Sequence, residues 1–173
     1  MLLELESVFN TPGLSVPFSF RLPEQPAEAE ARENGGAQGI PFAERPLVEG
    51  RASNRSGIVT LEAAVTVRLH TLCDRCASPF ETTLAIPVEH TLVRSLNDDA
   101  NDELILVEDT RFSPDALVWE DIVFALPAKL LCREGCAGIC AACGKNLNDG
   151  PCGCRPIGDP RLAALRNLLD EKI

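Results

Sequence analysis

Eight cysteines in four closely spaced pairs limit what this chain of 173 residues can fold into more than any other feature of its sequence. Two thiolates a few residues apart on a tight turn can point both sulfurs at one tetrahedral metal ion, about 2.3 Å away. Four thiolates complete the coordination of one zinc ion, so eight predict two closed, structural zinc sites. The predicted ligands are Cys73 and Cys76, Cys132 and Cys136, Cys140 and Cys143, and Cys152 and Cys154.

The spacing leaves two ways of combining these pairs. In the first, Cys73/Cys76 joins Cys132/Cys136, and Cys140/Cys143 joins Cys152/Cys154. This pairing is favoured because its second set lies within fifteen residues, so the loop closes at little entropic cost. In the second pairing, the two CxxC turns share one ion as in a zinc ribbon, and the other four cysteines share another. Gly144 follows the second CxxC, and glycine permits the backbone conformation that such a turn requires.

The alternatives to zinc are a disulfide framework, a redox-active dithiol at Cys73/Cys76 and an iron–sulfur cluster. Met1 to Glu6 lack the basic and apolar regions of a secretory signal, and no apolar run approaches the roughly 18–20 residues that span a bilayer. We therefore expect a cytoplasmic protein without a membrane partner. Because the cytosol keeps thiols reduced, disulfides are disfavoured there. A redox dithiol prefers a helix N-terminus, whereas Cys73/Cys76 follows a strand pattern.

Alternation of apolar and polar residues predicts two long β-strands on either side of the first CxxC. A period of two over such a length is typical of half-buried strands. The strands are expected at 57–72 and 80–94, and a short one at 104–107, while 1–22 predict an extended opening. The apolar face of the first long strand carries Val59, Leu61, Ala63, Val65, Val67 and Leu69, and that of the second carries Phe80, Leu84, Ile86, Val88 and Leu92.

Proline positions predict two helices. Ser113-Pro114 is a start signal, and Pro127 prevents continuation, so a helix near residues 114–126 is expected to cover the sheet. Asp159-Pro160 repeats the start signal ahead of a C-terminal helix with an apolar stripe of leucines.

These elements predict an α+β fold with a mainly antiparallel, barrel-like β-sheet. Residues 1–127 form the β-rich core domain in this interpretation, with a flexible insert near 23–45 that is rich in Pro, Gly, Glu and Ala. Residues 128–173 form a cysteine-rich zinc module followed by the C-terminal helix.

No group of side chains in the sequence suggests catalysis. The two histidines, His70 and His90, fall on predicted strands, and the acidic stretch 97–103 is typical of a solvated loop. The sequence has neither a phosphate-binding glycine loop nor a nucleophile with an oriented base. We therefore expect a protein that is not an enzyme and has no small-molecule substrate.

The charge balance restricts the partners. The chain has 16 Lys and Arg against 26 Asp and Glu, a net charge of −10. Most sequence-independent affinity for nucleic acid comes from cations that displace phosphate counterions. A chain this acidic can therefore bind RNA only through a local basic surface or through a partner protein.

The motifs around the cysteines resemble the YceD family, the large ribosomal RNA subunit accumulation proteins. The run between Cys132 and Cys154 is similar to a cysteine-rich, zinc-binding branch of that family. The resemblance covers most of residues 46–170. Its motifs are CDRCASPF from Cys73 to Phe80, Ala125-Leu126-Pro127, CREGCAGICAACGKNLNDGPCGC from Cys132 to Cys154, and DPRLAAL from Asp159 to Leu165.

The resemblance implies a role in accumulation or processing of large-subunit (23S) ribosomal RNA, and so in ribosome biogenesis, without a known catalytic activity. The implied partner is that RNA or a ribosome-assembly protein. The alternative is a zinc-dependent, protein-binding adaptor or regulator that makes no direct RNA contact. Residues 126–173 hold seven basic and five acidic side chains, which makes this part the expected RNA-binding region. The candidate RNA contacts are Lys129, Arg133, Lys145, Arg155, Arg161 and Arg166.

Overall fold

The computed structural model describes residues 1–23, 42–95, 104–109 and 111–154, which form short helices and a larger set of strands. Residues 24–41 of the predicted insert near 23–45 lie outside the described residues, and so does the whole of the predicted C-terminal helix. The strands are β1 Leu3–Glu4, β2 Ser15–Arg21, β3 Leu47–Arg55, β4 Ile58–Leu72, β5 Pro79–Val93, β6 Leu104–Leu106 and β7 Arg111–Phe112. The helices are α1 Glu6–Asn10, α2 Asp115–Ala125 and a 3₁₀ turn at Leu147–Asp149.

Five strands form the main sheet in the order β2-β3-β4-β5-β6, and β1 pairs with β7 in a separate two-stranded sheet. The pairs β2–β3 and β3–β4 are antiparallel. Because only six residues join β4 to β5, that pair is antiparallel too, since a parallel connection needs a long crossover. β6 runs parallel to β5. The prediction of an α+β fold with a mainly antiparallel sheet is confirmed.

The prediction of a barrel-like sheet is wrong for the part of the chain described. β2 and β6 lie at opposite edges of the sheet and do not pair with each other. Closure needs enough tilted strands of matched length to return the last onto the first. Five strands ending in the three-residue β6 do not meet that requirement.

The core lies on one face of the long strands, as their alternation predicted. The buried side chains of β4 are apolar and separated by two or four residues, because successive side chains of a strand point to opposite faces. β5 follows the same rule, with its buried residues nearer its C-terminal end. These core residues are Val59, Leu61, Val65, Val67 and Leu69 on β4, and Ile86, Val88 and Leu92 on β5.

The turn between β3 and β4 carries a buried polar anchor, Asn54, which is only 1% exposed. Its Nδ2 donates to the Val8 carbonyl at 2.8 Å and the Phe9 carbonyl at 3.2 Å, and its Oδ1 accepts from the Gly57 N–H at 2.8 Å. Ser56 and Gly57 have φ of +55° and +93°, as a two-residue hairpin loop requires. Asn54 therefore joins α1 to the β3–β4 hairpin.

Helix α2 lies where the sequence predicted it, from Asp115 to Ala125, and ends before Pro127. Its buried side chains are Val118, Trp119 and Ile122. Trp119 packs edge-on against Phe42, with ring centroids 5.3 Å apart, and Phe42 pairs with Leu69 of β4. The helix thus covers part of the sheet. None of the helices in the described residues is long and apolar enough to cross a membrane.

The chain divides into two compact units. The first unit comprises the described parts of Met1–Thr71 and Phe80–Ala128, and contains both sheets, α1 and α2. The second comprises Leu72–Pro79 together with the chain from Lys129, described as far as residue 154. The sequence-based division at 127/128 placed residues 72–79 in the first unit, whereas the structure groups them with the cysteine-rich segment.

Candidate metal centres

Four cysteines of the second unit meet in a group that we call the first tetrad: Cys73, Cys76, Cys132 and Cys136. Their Sγ atoms all lie within 4.8 Å of one another, and two Sγ–Sγ distances, Cys73–Cys136 and Cys76–Cys132, are 3.7 Å. A regular tetrahedron of sulfurs about 2.3 Å from a central ion has edges of about 3.8 Å. The spacing therefore fits four ligands around one ion.

The remaining cysteines, Cys140, Cys143, Cys152 and Cys154, form the second tetrad, whose Sγ atoms also lie within 4.8 Å of one another. This grouping matches the first of the two pairings considered from the sequence. The zinc-ribbon pairing, in which the two CxxC turns share an ion, is not the one that the structure forms. All eight cysteines are free thiols.

The two CxxC turns have the same backbone hydrogen bonds. In the first turn, the Cys73 N–H donates to the Ser78 carbonyl at 2.9 Å, and the Ala77 N–H donates to the Cys73 carbonyl at 2.8 Å. In the second turn, the Cys140 N–H donates to the Lys145 carbonyl and the Gly144 N–H to the Cys140 carbonyl, each at 2.8 Å. Each turn therefore presents its two sulfurs from a rigid, hydrogen-bonded loop.

Gly144 has φ of +72°, a left-handed backbone that glycine adopts freely, which agrees with the expectation that glycine permits the conformation of this turn. Gly138, in the segment between the two tetrads, has φ of +77°, and a Cβ there would lie 3.1 Å from the Arg75 carbonyl oxygen. The Ile139 N–H donates to that same carbonyl at 3.0 Å. Glycine at 138 therefore allows the close approach of two backbone segments beside the first tetrad.

Asp74 and Arg75 lie inside the first CxxC turn. Their hydrogen bonds hold the segment that contains Cys132 and Cys136 against this turn. The Asp74 N–H donates to the Leu130 carbonyl at 2.9 Å, and its carboxylate accepts from the Leu130 N–H at 2.6 Å. Arg75 donates to the Cys136 carbonyl at 3.0 Å. Sequence reasoning missed both residues. The available signal was the contrast between charged residues inside this turn and Ala141-Ala142 inside the other.

The two tetrads differ in exposure. Cys73, Cys76 and Cys136 of the first tetrad are buried, and Cys132 alone is exposed. In the second tetrad, Cys143 and Cys154 are exposed, and the other two are half-buried. Solvent, chelators and thiol reagents therefore reach the second tetrad more easily.

The thiols within each tetrad differ in acidity. Hydrogen bonds from backbone N–H groups, that of Cys132 above all, lower the pKa of Cys73 to about 6. The N–H of Cys143 is the main cause that lowers the pKa of Cys140 to about 6. Loss of water around its sulfur, followed by the neighbouring sulfurs, raises the pKa of Cys132 to about 12. The adjacent Cys143 thiol, followed by loss of water, raises the pKa of Cys154 to about 12.

These pKa values indicate that the four crowded thiols of a tetrad do not all ionise without a cation. Backbone N–H donors make one thiol of each tetrad acidic, and the resulting thiolate then opposes ionisation of the sulfurs a few ångströms away. A divalent cation at the centre of the tetrad removes that repulsion and lets all four sulfurs ionise. The donor set, four sulfurs without a carboxylate or an imidazole, is that of a closed structural site.

Three of the six candidate RNA contacts lie in the described residues. Lys129, Arg133 and Lys145 are exposed. Arg133 donates to the Asn148 side chain, and Lys145 donates to the Pro151 carbonyl at 3.1 Å, so both also hold their own unit together. Arg155, Arg161 and Arg166 lie outside the described residues.

Neither histidine joins a tetrad. His70 is exposed on β4. His90 of β5 lies 2.8 Å, Nε2 to Oδ2, from Asp121 of α2, and both side chains are half-buried. This pair links α2 to the sheet within the first unit.

Comparison with models of known protein families gives a match over the cysteine-containing part of the chain. The model of the large ribosomal RNA subunit accumulation protein YceD matches residues 61–169, which is more than half of the chain and includes all eight cysteines. No curated protein and no solved structure matches the chain significantly.

Proposed function

Because this chain belongs to the YceD family of large ribosomal RNA subunit accumulation proteins, we propose that it assists the accumulation or processing of large-subunit ribosomal RNA. Family membership is the observation that carries this proposal, and it supports a role in ribosome biogenesis. In this role the chain is a non-catalytic, cytoplasmic protein stabilised by two zinc ions. Its partner is the ribosomal RNA or a ribosome-assembly protein.

The two tetrads support the zinc part of the proposal. Each has four free thiols and Sγ atoms within 4.8 Å of one another. Zinc is the metal most often held by four thiolates in closed, tetrahedral sites. Such a site holds chain segments together and leaves no position for a substrate, which agrees with a protein that acts by binding. Metal analysis of protein purified under reducing conditions tests this part, with about two zinc ions per chain expected.

Charge supports RNA contact through the second unit. The exposed side chain of Lys129 and the basic residues 155, 161 and 166 lie in a part of the chain with more basic than acidic groups. Several exposed arginines of the first unit are paired with carboxylates, as in Arg51–Glu62 and Arg68–Glu44. Arginines neutralised in this way are poor phosphate ligands.

A second function, an adaptor without RNA contact, has an observation in its favour. The net charge of −10 opposes phosphate binding, and Arg133 and Lys145 already bond within their own unit. An acidic surface suits a basic ribosomal protein at least as well as RNA. In-cell crosslinking followed by identification of RNA and protein adducts separates the two functions.

Deletion of the gene tests the role itself. We expect less large-subunit relative to small-subunit ribosomal RNA, restored by the wild-type chain. For direct contact, Lys129→Glu, Arg155→Glu, Arg161→Glu and Arg166→Glu together should remove most RNA crosslinks. The control for net charge compares two double reversals that change the charge equally: Arg161→Glu with Arg166→Glu, and Arg45→Glu with Arg55→Glu in the first unit, where both side chains are exposed. A normal RNA ratio in the deletion strain would contradict the proposed role, and unchanged crosslinking in the fourfold variant would favour the adaptor.

A further inference from the structure

Asn148 lies in the 3₁₀ turn between Cys143 and Cys152, so it belongs to the loop that the second tetrad closes. Its side chain nevertheless contacts a ligand of the first tetrad. The Asn148 Nδ2 donates to the Cys136 Sγ at 3.4 Å. A hydrogen bond to a ligating sulfur stabilises the thiolate form and fixes the direction in which the sulfur points.

The remaining bonds of this amide hold it in one orientation. Nδ2 also donates to the Asn146 Oδ1 at 2.7 Å, so both amide hydrogens have partners. The Asn148 Oδ1 accepts from the Ala137 N–H at 2.9 Å and from the Arg133 guanidinium. Arg133 and Ala137 flank Cys136 in the chain, so the amide oxygen secures the segment on either side of this ligand.

Two further bonds tie the same loop to the surroundings of the first tetrad. The Leu147 N–H donates to the Gly138 carbonyl at 2.8 Å. The Asn146 Nδ2 donates to the Ser78 Oγ at 3.3 Å, and Ser78 closes the first CxxC turn. The segment 146–148 therefore bonds to both chain segments that supply the first tetrad. Among its hydrogen bonds in the described residues, only the one from Asn148 reaches a ligand sulfur.

We propose that Asn148 is a positioning residue that couples the two metal sites, so that the loop ordered by the second ion strengthens binding of the first. The proposal rests on the zinc occupancy proposed above. An ion at the second tetrad holds the loop 144–151 in the conformation that places the Asn148 amide on Cys136. Because coupling between two binding sites is reciprocal, the first ion strengthens binding of the second by the same factor.

Two substitutions separate the bond to sulfur from a merely structural role. Asn148→Asp keeps the oxygen that accepts from Ala137 and Arg133, but loses the Nδ2 donor to Cys136 and Asn146. Asn148→Ala loses both. Asp149→Asn, an exposed residue of the same turn, is the control. Zinc affinity is measured by chelator competition on the full chain, and pulsed alkylation with mass spectrometry shows which cysteines have lost their ion.

We expect both Asn148 variants to weaken zinc binding at the first tetrad by about 10- to 100-fold, the usual effect of removing a hydrogen bond to a metal ligand. Asp149→Asn should behave as wild type. If Asn148→Asp also behaves as wild type, the amide only secures the chain and the proposal is overturned. Loss confined to the second tetrad would overturn it as well.

A double-mutant cycle tests the coupling. Cys152→Ser removes a ligand of the second ion, and it should lower zinc affinity at the first tetrad in the wild-type background. In the Asn148→Ala background its further effect on the first tetrad should be clearly smaller, because the bond to the ligand sulfur is already lost and only the Leu147–Gly138 and Asn146–Ser78 bonds remain. Additive losses would refute the coupling. Wild-type protein that binds no zinc at either tetrad would instead refute the metal assignment, which is a different result from two independent zinc sites.

Discussion

Ala77 and Gly144 occupy equivalent positions, one residue after the second cysteine of each CxxC turn, and both have left-handed backbone with φ of +56° and +72°. A non-glycine residue there costs about 1–2 kcal/mol relative to its usual conformation. The first turn therefore contains a strained alanine where the second contains a relaxed glycine.

Substitution at these two positions should lower stability in the second turn only. Gly144→Ala adds strain without a clash, because nothing lies within 4 Å of its added Cβ, and should lower the free energy of unfolding by about 1 kcal/mol. Ala77→Gly relieves backbone strain but increases the conformational entropy of the unfolded chain. It should therefore leave the free energy of unfolding unchanged or raise it by up to about 1 kcal/mol. Chemical denaturation of the zinc-loaded variants measures both, and changes of the same sign would contradict the equivalence.

Gly138 should tolerate substitution poorly, and Gly135 three residues earlier is its matched control. Gly138→Ala combines left-handed backbone with a Cβ 3.1 Å from the Arg75 carbonyl oxygen, whereas an added Cβ at Gly135 meets nothing within 4 Å. We expect Gly138→Ala to cost about 2 kcal/mol and to speed zinc loss from the first tetrad. Gly135→Ala should be close to neutral. Equal zinc loss from the two variants would show that the close approach at Gly138 is unimportant.

Asn54 should be among the most sensitive polar positions of the first unit. Asn54→Ala leaves the buried carbonyl of Val8 and the N–H of Gly57 without their partner, so we expect a loss of about 2–4 kcal/mol in the free energy of unfolding. The control is Ser53→Ala, which removes one hydroxyl pair with Thr60 at 3.2 Å and should cost less than about 1 kcal/mol. Thermal and urea unfolding of both variants compare the two positions.

Single serine substitutions should remove the two proposed zinc ions separately. Cys140→Ser and Cys154→Ser should each lower the zinc content by about one ion and leave Cys76 protected from alkylation. Cys76→Ser should remove the other ion and leave Cys140 protected. This outcome follows from the membership of the tetrads. Loss of the same ion from Cys76→Ser and Cys140→Ser would instead support the zinc-ribbon pairing.

Exposure predicts the order in which a chelator strips the ions. Cys143 and Cys154 are exposed, whereas Cys73, Cys76 and Cys136 are buried. Pulsed alkylation during chelation should therefore label the second tetrad several times faster than the first. Labelling of Cys73 ahead of Cys143 would show that burial does not control access.

Local sequence signals predicted the elements that depend on neighbours in the chain. The alternation from Val59 to Leu69 predicted the buried face of β4, and Pro127 predicted where α2 ends. Loop-closure entropy favoured the cysteine grouping that the structure has, because Cys140 to Cys154 form a short loop.

Features that depend on pairing between distant segments were not predictable in this way. Nothing in the residues of β6 indicates that it lies beside β5 and parallel to it. Without the order of the strands, the edge strands of the sheet cannot be identified. The role of Asn54 depends on the contact between α1 and the β3–β4 turn, in which Asn54 bonds to residues 45 and 46 positions earlier in the chain. The role of Asn148 likewise depends on the packing of the two tetrads, which spacing alone does not determine.

The first tetrad takes its ligands from two places in the chain, and Cys73 precedes Cys136 by 63 residues. During synthesis at about 5–20 residues per second, the Cys73/Cys76 turn is made roughly 3–13 s before its last partner. Over that interval it is a pair of thiols with half of a binding site, open to other metals and to oxidants. The second tetrad, complete within fifteen residues, has no comparable delay. For the zinc sites proposed above, zinc supply and thiol protection during synthesis therefore matter more for the first tetrad than for the second.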